Sequence, residues 1–146
     1  MSGRIGRTTD EKVAFHQAVY EKVQLIPYGK VTSYGHIAKL IGRPNNSRQV
    51  GQSLKHFRVN NQLIPLQSRI ADIDSFPWWR VVSSQGAVSK REDMGGVIDQ
   101  VDHLREEGVE VNERYGSYSL NIVHFGWFPV ITEHDVDAEE NDPVPE

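Results

Sequence analysis

Residues 32–57 read TSYGHIAKLIGRPNNSRQVGQSLKHF, and they hold two short amphipathic segments separated by a turn. In the first segment, Thr32 or Ser33 can cap a helix, and Gly42 stands where a helix often stops. The second segment begins with an Asn-Ser pair, either of which can cap a helix that runs to about Phe57. Two helices joined by a short Gly/Pro turn predict a helix-turn-helix unit.

The second of these helices has a polar face. Five residues are predicted to lie off its apolar stripe and to be available to DNA: Arg48, Gln49, Gln52, Ser53 and Lys55. Helix pairs of this kind also occur in folds that never touch DNA. The distribution of charge along the chain is therefore needed to distinguish a DNA-binding domain from such folds. The segment from Lys22 to Ala71 contains eight Lys or Arg residues and no Asp or Glu. A block of one sign favours a polyanionic partner, against the alternative of a basic surface without a partner.

The formal net charge of −4 conceals this block, because the C-terminus is strongly acidic. Residues 133–146 contain seven Asp or Glu and no Lys or Arg, which leaves 13 acidic against 16 basic residues, about +3, in the rest of the chain. We expect residues 132–146 to form a disordered acidic tail. The tail either competes with DNA for the basic face or binds a partner.

Patterns along the rest of the chain favour a mainly α fold with short β hairpins, a winged-helix-like domain containing the helix-turn-helix, over residues 10–131. A flexible basic N-terminus is expected over residues 1–9. The predicted elements are a helix from about Asp10 to Ile26, a long polar connection over Arg58–Phe76 with an extended piece at Leu63–Leu66, a hairpin with limbs Arg80–Val82 and Ala87–Ser89, a helix from Val97 to about Glu107, a hairpin around Gly116, and a core-closing aromatic cluster at Phe125–Phe128.

The amino-acid composition excludes several classes of function. The chain has no cysteine, which excludes thiol nucleophiles, disulfides and Cys-ligated zinc together. Its six histidines show no metal-ligand spacing, and no Gly-rich phosphate loop or nucleophile elbow is present. We therefore expect no cofactor, no metal and no catalysis. No signal-peptide pattern or membrane span is evident, so we expect an intracellular, unsecreted monomer, nuclear if eukaryotic and otherwise cytoplasmic.

The pentapeptide Pro77-Trp78-Trp79-Arg80-Val81 resembles the Pro-Cys-His-Arg-Val active-site box of the O6-alkylguanine-DNA alkyltransferases, with Trp in place of the nucleophilic Cys. An isolated Pro-Trp-Trp is as readily a buried aromatic pair at the start of a strand. Five further stretches resemble the same DNA-binding domain in the same order: Ile26–Val31, Thr32–Ala38, Ser47–Leu54, Arg80–Val88 and Leu104–Val109. Together they cover roughly residues 10–128, and they are similar to the alkyltransferase-like proteins, which bind the lesion without chemistry.

The resemblance implies roles for particular residues. Arg48 would be the arginine finger that fills the gap left by a flipped nucleotide, and a planar, permanently charged guanidinium suits that task. Tyr34 would press on the phosphate beside the target and help to rotate the nucleotide outward. The alternatives are a surface arginine and a half-buried core tyrosine. The lesion pocket implied by the resemblance consists of Tyr34, Trp78, Trp79, Arg80, Val81, Val82, Ser84 and Arg91.

Two of the three groups of the family's Cys-His-Glu arrangement are absent, because Trp78 and Trp79 replace Cys and His while Glu107 remains. An indole offers no nucleophile comparable to a thiolate. The resemblance therefore implies a non-catalytic protein that flips and holds O6-alkylguanine in double-stranded DNA and flags it for nucleotide excision repair. The alternative is a helix-turn-helix transcriptional regulator of undamaged DNA. Arg69, in the long connection, is a candidate for an added phosphate contact.

Overall fold

The computed structural model of the chain describes residues 2–88 and 94–131. Within these ranges lie helices α1 to α6 and strands β1 to β4, together with short 3-10 turns, one of which covers Trp78–Arg80. Their bounds are α1 Ser2–Val23, β1 Thr32–Ser33, α2 Tyr34–Leu40, α3 Ser47–Lys55, α4 Phe57–Asn61, β2 Val81–Val82, α5 Met94–Glu106, β3 Val111–Arg114, β4 Ser117–Leu120 and α6 Ile122–Phe125.

Helix α1 begins earlier than the sequence predicted. The expected start at Asp10 is wrong, because the backbone is already helical from Ser2, and residues 2–9 extend α1. Once a helix is nucleated, each added turn costs little, so a capping-box pattern inside it is overridden. At the other end, the amides of Leu25 and Ile26 bond to carbonyls three residues back, which tightens the last turn ahead of Pro27.

The helix-turn-helix forms as predicted. Ser33 caps α2, because its Oγ accepts the amide of His36 at 3.0 Å. Gly42 has a φ of 76°, a conformation open to glycine, and ends α2. Helix α3 starts at Ser47 and ends at Lys55, short of the predicted Phe57, because the backbone at His56 leaves the helix before α4 starts.

The break places Phe57 in the core. Its ring stacks on Phe76 at 4.0 Å, and Tyr20 of α1 packs edge-on against both rings. This first core cluster joins α1 to α4, and a second cluster lies around α5 and the β3–β4 hairpin. Within the predicted aromatic cluster, Trp127 and Phe125 pack on the core, whereas Phe128 remains 46% exposed.

The strands correct one prediction and confirm another. The predicted hairpin with Arg80–Val82 as one limb does not form over the described residues 80–88, because β2 pairs in parallel with β1, Thr32 opposite Val81, and Ser89 lies outside the described residues. The turn after β2 does form, and Ala87 then bridges Ser119 of β4. The predicted hairpin around Gly116 is confirmed as β3–β4, with left-handed φ values at Tyr115 and Gly116 that suit a tight two-residue turn.

The connection over residues 58–76 is folded. Leu63–Leu66 is not an extended piece, because α4 and two 3-10 turns occupy this region. Asn61 holds the connection closed, since its side chain donates to the carbonyl of Ile70 at 2.9 Å and accepts the amide of Ile70 at 3.0 Å. The guanidinium of Arg69 donates to the carbonyls of Gln62 and Ile64, and a phosphate contact through its remaining donors stays a prediction. In the described ranges, no helix is both long enough and apolar enough to cross a membrane.

Candidate DNA-binding groove

A groove of about 1270 Å³ lies between α3, the start of the 58–76 connection and α5. Its lining residues are Tyr34, Ser47, Arg48, Gly51, Gln52, Leu54, Lys55, His56, Phe57, Arg58, Val59, Ile73, Asp74, Trp78, Gly96, Asp99 and His103. The groove therefore joins Trp78, which belongs to the Pro77–Val81 stretch, to residues of the helix-turn-helix.

Helix α3 and the start of α2 supply four of the predicted residues to the groove. Arg48, Gln52 and Lys55 are exposed along it, and Tyr34 is half-buried beside them. The ring of Tyr34 lies 3.7 Å from where a Cβ on Gly51 would stand, so the glycine makes room for the tyrosine. Gln49 is exposed on α3 but is not part of the groove lining.

Ser53 does not belong to this surface, and its prediction as a DNA contact is wrong. The residue is 1% exposed, and its Oγ lies 2.7 Å from Nδ1 of His16 on α1. Its carbonyl accepts the hydroxyl of Tyr20 at 2.6 Å. Ser53 follows Val50 by one helical turn and therefore shares its buried face. Burial first, and nearby Lys12 second, lower the pKa of His16.

The two tryptophans of the Pro77–Val81 stretch have different environments. Trp78 is half-buried and lines the groove. Trp79 is 7% exposed and absent from the groove lining, and its Nε1 donates to Oε2 of Glu107 at 2.9 Å. The indole of Trp79 also stacks on His103 with ring centroids 3.9 Å apart. The expectation that both indoles line one pocket therefore fails, because Trp79 is packed inside the fold.

Glu107 is the centre of a buried ion pair. Its carboxylate accepts three hydrogen bonds from Nε and Nη2 of Arg80, the shortest at 2.6 Å, and one from the amide of Gly29 at 2.9 Å. The side chains of Arg80 and Glu107 are only 13% and 5% exposed. Burial by itself would raise the pKa of Glu107, but the hydrogen bonds from Arg80, Gly29 and Trp79 outweigh it and hold the pKa below its usual range. Arg80 fixes the Trp78–Arg80 turn and is not a pocket residue.

The remaining predicted pocket residues do not line the groove. Val81 and Val82 are buried in β2, and the carbonyl of Val81 accepts the side-chain amide of Gln100 at 3.0 Å, so that group is not free to bind a base. Ser84 is exposed in the turn after β2, away from the groove lining. Arg91 lies outside the described residues, as do residues 132–146.

Several groove residues were missed by the sequence analysis. Asp99 and His103 stand one turn apart on α5 and both line the groove. Arg58 and Asp74 form an exposed ion pair of 3.1 Å at its edge. The four-residue spacing of Asp99 and His103 marks a shared helix face, but nothing in the sequence shows that this face meets α3. No cluster of potential metal ligands occurs among the described residues.

Comparison with known proteins defines the class of domain first. A family model described as the DNA-binding domain of 6-O-methylguanine DNA methyltransferase matches residues 14–109. Alkyltransferase-like protein 1 of Schizosaccharomyces pombe is 40% identical over 116 residues, which are 79% of this chain and 95% of that protein. A DNA base-flipping protein of Escherichia coli is 33% identical over 118 residues, 81% of this chain and 78% of that protein.

The solved structure of S. pombe Atl1 in complex with damaged DNA containing O6-carboxymethylguanine is similar to this fold. It has a TM-score of 0.66 at 40% identity, and the match covers 80% of this chain and 96% of that one. Together with the sequence matches, this places the chain in a family: it belongs to the alkyltransferase-like proteins. The fold predicted from the sequence is confirmed by these similarities.

Proposed function

We propose that this protein recognises alkylated DNA without repairing it: it binds duplex DNA, flips O6-alkylguanine into the groove beside Trp78, and leaves the alkyl group in place. The observation that carries the proposal is the joint presence of Tyr34, Arg48 and Trp78 in one groove. The similarity to alkyltransferase-like and base-flipping proteins supports it. These similarities do not support the alternative of a transcriptional regulator.

Trp78 provides the argument against chemistry. It stands where the related enzymes carry the alkyl-accepting cysteine, and the chain contains no cysteine at all. An indole presents an apolar face that can pack against an alkyl group but offers no thiolate-like nucleophile. The second tryptophan, Trp79, occupies the place of the histidine that would relay the proton, and its N–H is already donated to Glu107.

Helix α3 would bind in the minor groove, as in the related enzymes, with Arg48 entering the duplex. Flipping a nucleotide costs a few kcal/mol, and less when the base already pairs badly. An arginine that hydrogen-bonds the orphaned base while stacking in the gap offsets part of this cost. Lys55 and Gln52, which are exposed along the same helix, would contact the sugar–phosphate backbone.

Binding to matched duplexes tests the proposal. Duplexes carrying guanine or O6-methylguanine at one site are compared at one fixed salt concentration, and intact mass is measured afterwards. We expect at least tenfold tighter binding to the lesion, a loss of most of this preference in Arg48→Ala, and no mass shift. Arg114→Ala is the matched control, because it removes one exposed arginine on β3 that is not among the groove residues. Equal affinity for both duplexes, or a mass gain of one alkyl group, would contradict the proposal.

We further propose that the protein–lesion complex is handed to nucleotide excision repair proteins, in the nucleus if the cell is eukaryotic. A protein that holds a lesion without removing it needs a later step that excises the damage. Incision of a lesion-bearing duplex in a repair-competent extract should rise when the protein is added. Arg48→Ala should fail to stimulate incision, and equal stimulation by both proteins would count against the hand-off.

A further inference from the structure

His103 and Trp78 form an aromatic corner in the groove, and His103 is held there from two sides. Its ring stacks on Trp79 with centroids 3.9 Å apart and planes 8° apart. The same ring meets Trp78 edge-on at 6.0 Å and 78°. Because Trp79 is itself fixed by its hydrogen bond to Glu107, the imidazole cannot turn freely. Its position in the groove is therefore set before any ligand binds.

The ring nitrogens of His103 have no hydrogen-bond partner among the protein atoms of the described residues. The residue is half-buried, and polar groups in such positions are usually hydrogen-bonded. An imidazole offers one donor when neutral and two when protonated. Stacking on Trp79 restrains the ring, so a ligand that fills the groove meets these nitrogens in a fixed place.

Charged groups surround His103 from each element that packs near it. Asp99 stands one turn before it on α5, and Glu107, just beyond the end of α5, is already paired with Arg80. The other charged or titratable residues that line the groove lie on α3 and in the segment 56–74. They are Arg48, Lys55, His56, Arg58 and Asp74. The cations that line the groove favour an anionic ligand.

We propose that His103 is a specificity-determining residue: it donates a hydrogen bond to the substituent on O6 of the flipped guanine, and so favours substituents that end in a carboxylate. The inference rests on the proposed function and adds to it a preference within the class of lesions. Trp78 packs against the carbon part of any substituent. The neighbouring imidazole binds a terminal acceptor, which a plain methyl group lacks.

The test uses three duplexes that differ at one base: guanine, O6-methylguanine and O6-carboxymethylguanine. Dissociation constants are measured at one fixed pH and salt concentration for the wild type, His103→Phe and His103→Gln. Phenylalanine keeps the stack on Trp79 and removes both nitrogens, whereas glutamine keeps a donor without a charge. His124→Phe is the matched control, because His124 is an exposed histidine on α6 that does not line the groove.

We expect the wild type to favour the carboxymethyl over the methyl lesion about tenfold. His103→Phe should abolish this ratio, His103→Gln should keep a reduced ratio, and His124→Phe should behave as the wild type. A ratio unchanged in His103→Phe overturns the inference while leaving the proposed function intact. Equal binding of all three duplexes by the wild type overturns the proposed function itself.

Discussion

Replacing Glu107 by alanine should destabilise the fold more than the loss of any surface charge. The substitution leaves the guanidinium of Arg80, which is 13% exposed, without its carboxylate. It also removes the acceptor of the Trp79 indole N–H and of the Gly29 amide. Breaking a buried ion pair by removing one partner costs about 3–5 kcal/mol, because an uncompensated charge stays behind. We expect the free energy of unfolding to fall by about that amount.

The same site should make stability depend on pH. The pKa of Glu107 is lower in the folded protein than its ordinary value, so the unfolded chain binds the proton more readily. The stabilisation is therefore complete above the ordinary glutamate pKa of about 4.3 and is lost as the pH falls through the lower pKa of the folded state. Glu107→Gln, which cannot titrate, should lack this contribution to acid unfolding.

Urea unfolding at pH 7 and at a series of lower pH values measures both effects. Arg58→Ala is the matched control, because the ion pair between Arg58 and Asp74 is 69% and 83% exposed. Exposed pairs contribute about 0–1 kcal/mol, so this variant should unfold almost as the wild type does. If Glu107→Ala loses no more stability than Arg58→Ala, the reasoning about the buried pair is refuted.

Three other changes have definite expected outcomes. Trp78→Cys should gain no rapid alkyl transfer, measured by intact mass with O6-methylguanine DNA, because the adjacent residue, Trp79, is an indole that cannot accept a proton from the thiol. Gly86→Ala should lower the free energy of unfolding by about 2–4 kcal/mol in urea titrations, because φ is 85° and a Cβ would collide with the carbonyl oxygen of Leu120. Deleting residues 133–146 removes seven acidic residues and should tighten binding to undamaged DNA in a salt titration.

Each of these three predictions has a control variant or a result that would contradict it. Rapid methylation of the new cysteine would show that another group activates the thiol. Gly108→Ala is the partner of Gly86→Ala, since its φ is 87° but no atom lies within 4 Å of the added Cβ, so it should cost only the backbone strain of about 1–2 kcal/mol. An unchanged salt-dependent affinity after the deletion would mean that the tail does not compete for the basic face.

Local features of the sequence were sufficient for the ends of α2, and resemblance was sufficient for three residues of the groove. Ser33 and Gly42 marked the ends of α2 correctly, because capping and helix termination depend on neighbours within a turn or two. Tyr34, Arg48 and Trp78 were placed by resemblance, and the structure brings them to one groove. Their roles toward DNA remain predictions for the binding experiments.

The errors arose where a residue's environment depends on distant parts of the chain. Ser53 is polar and was placed on the outer face of α3, but the packing of α1 against that helix buries it on His16. Val81 was expected in a local hairpin, yet its strand pairs with Thr32, about fifty residues earlier. A two-residue strand makes too few hydrogen bonds to choose its partner locally, so the surrounding core decides the pairing.

The sequence by itself determined the helix-turn-helix, the basic block, the acidic C-terminus and the loss of the cysteine nucleophile, because each is written in residue identity or short-range spacing. Only the tertiary structure decided that Trp78 lines the groove while Trp79 packs inside on Glu107. It alone placed His103 beside Trp78. The physical reason is that adjacent residues on a turn leave it in different directions, and the packing of α5 determines which of them is buried.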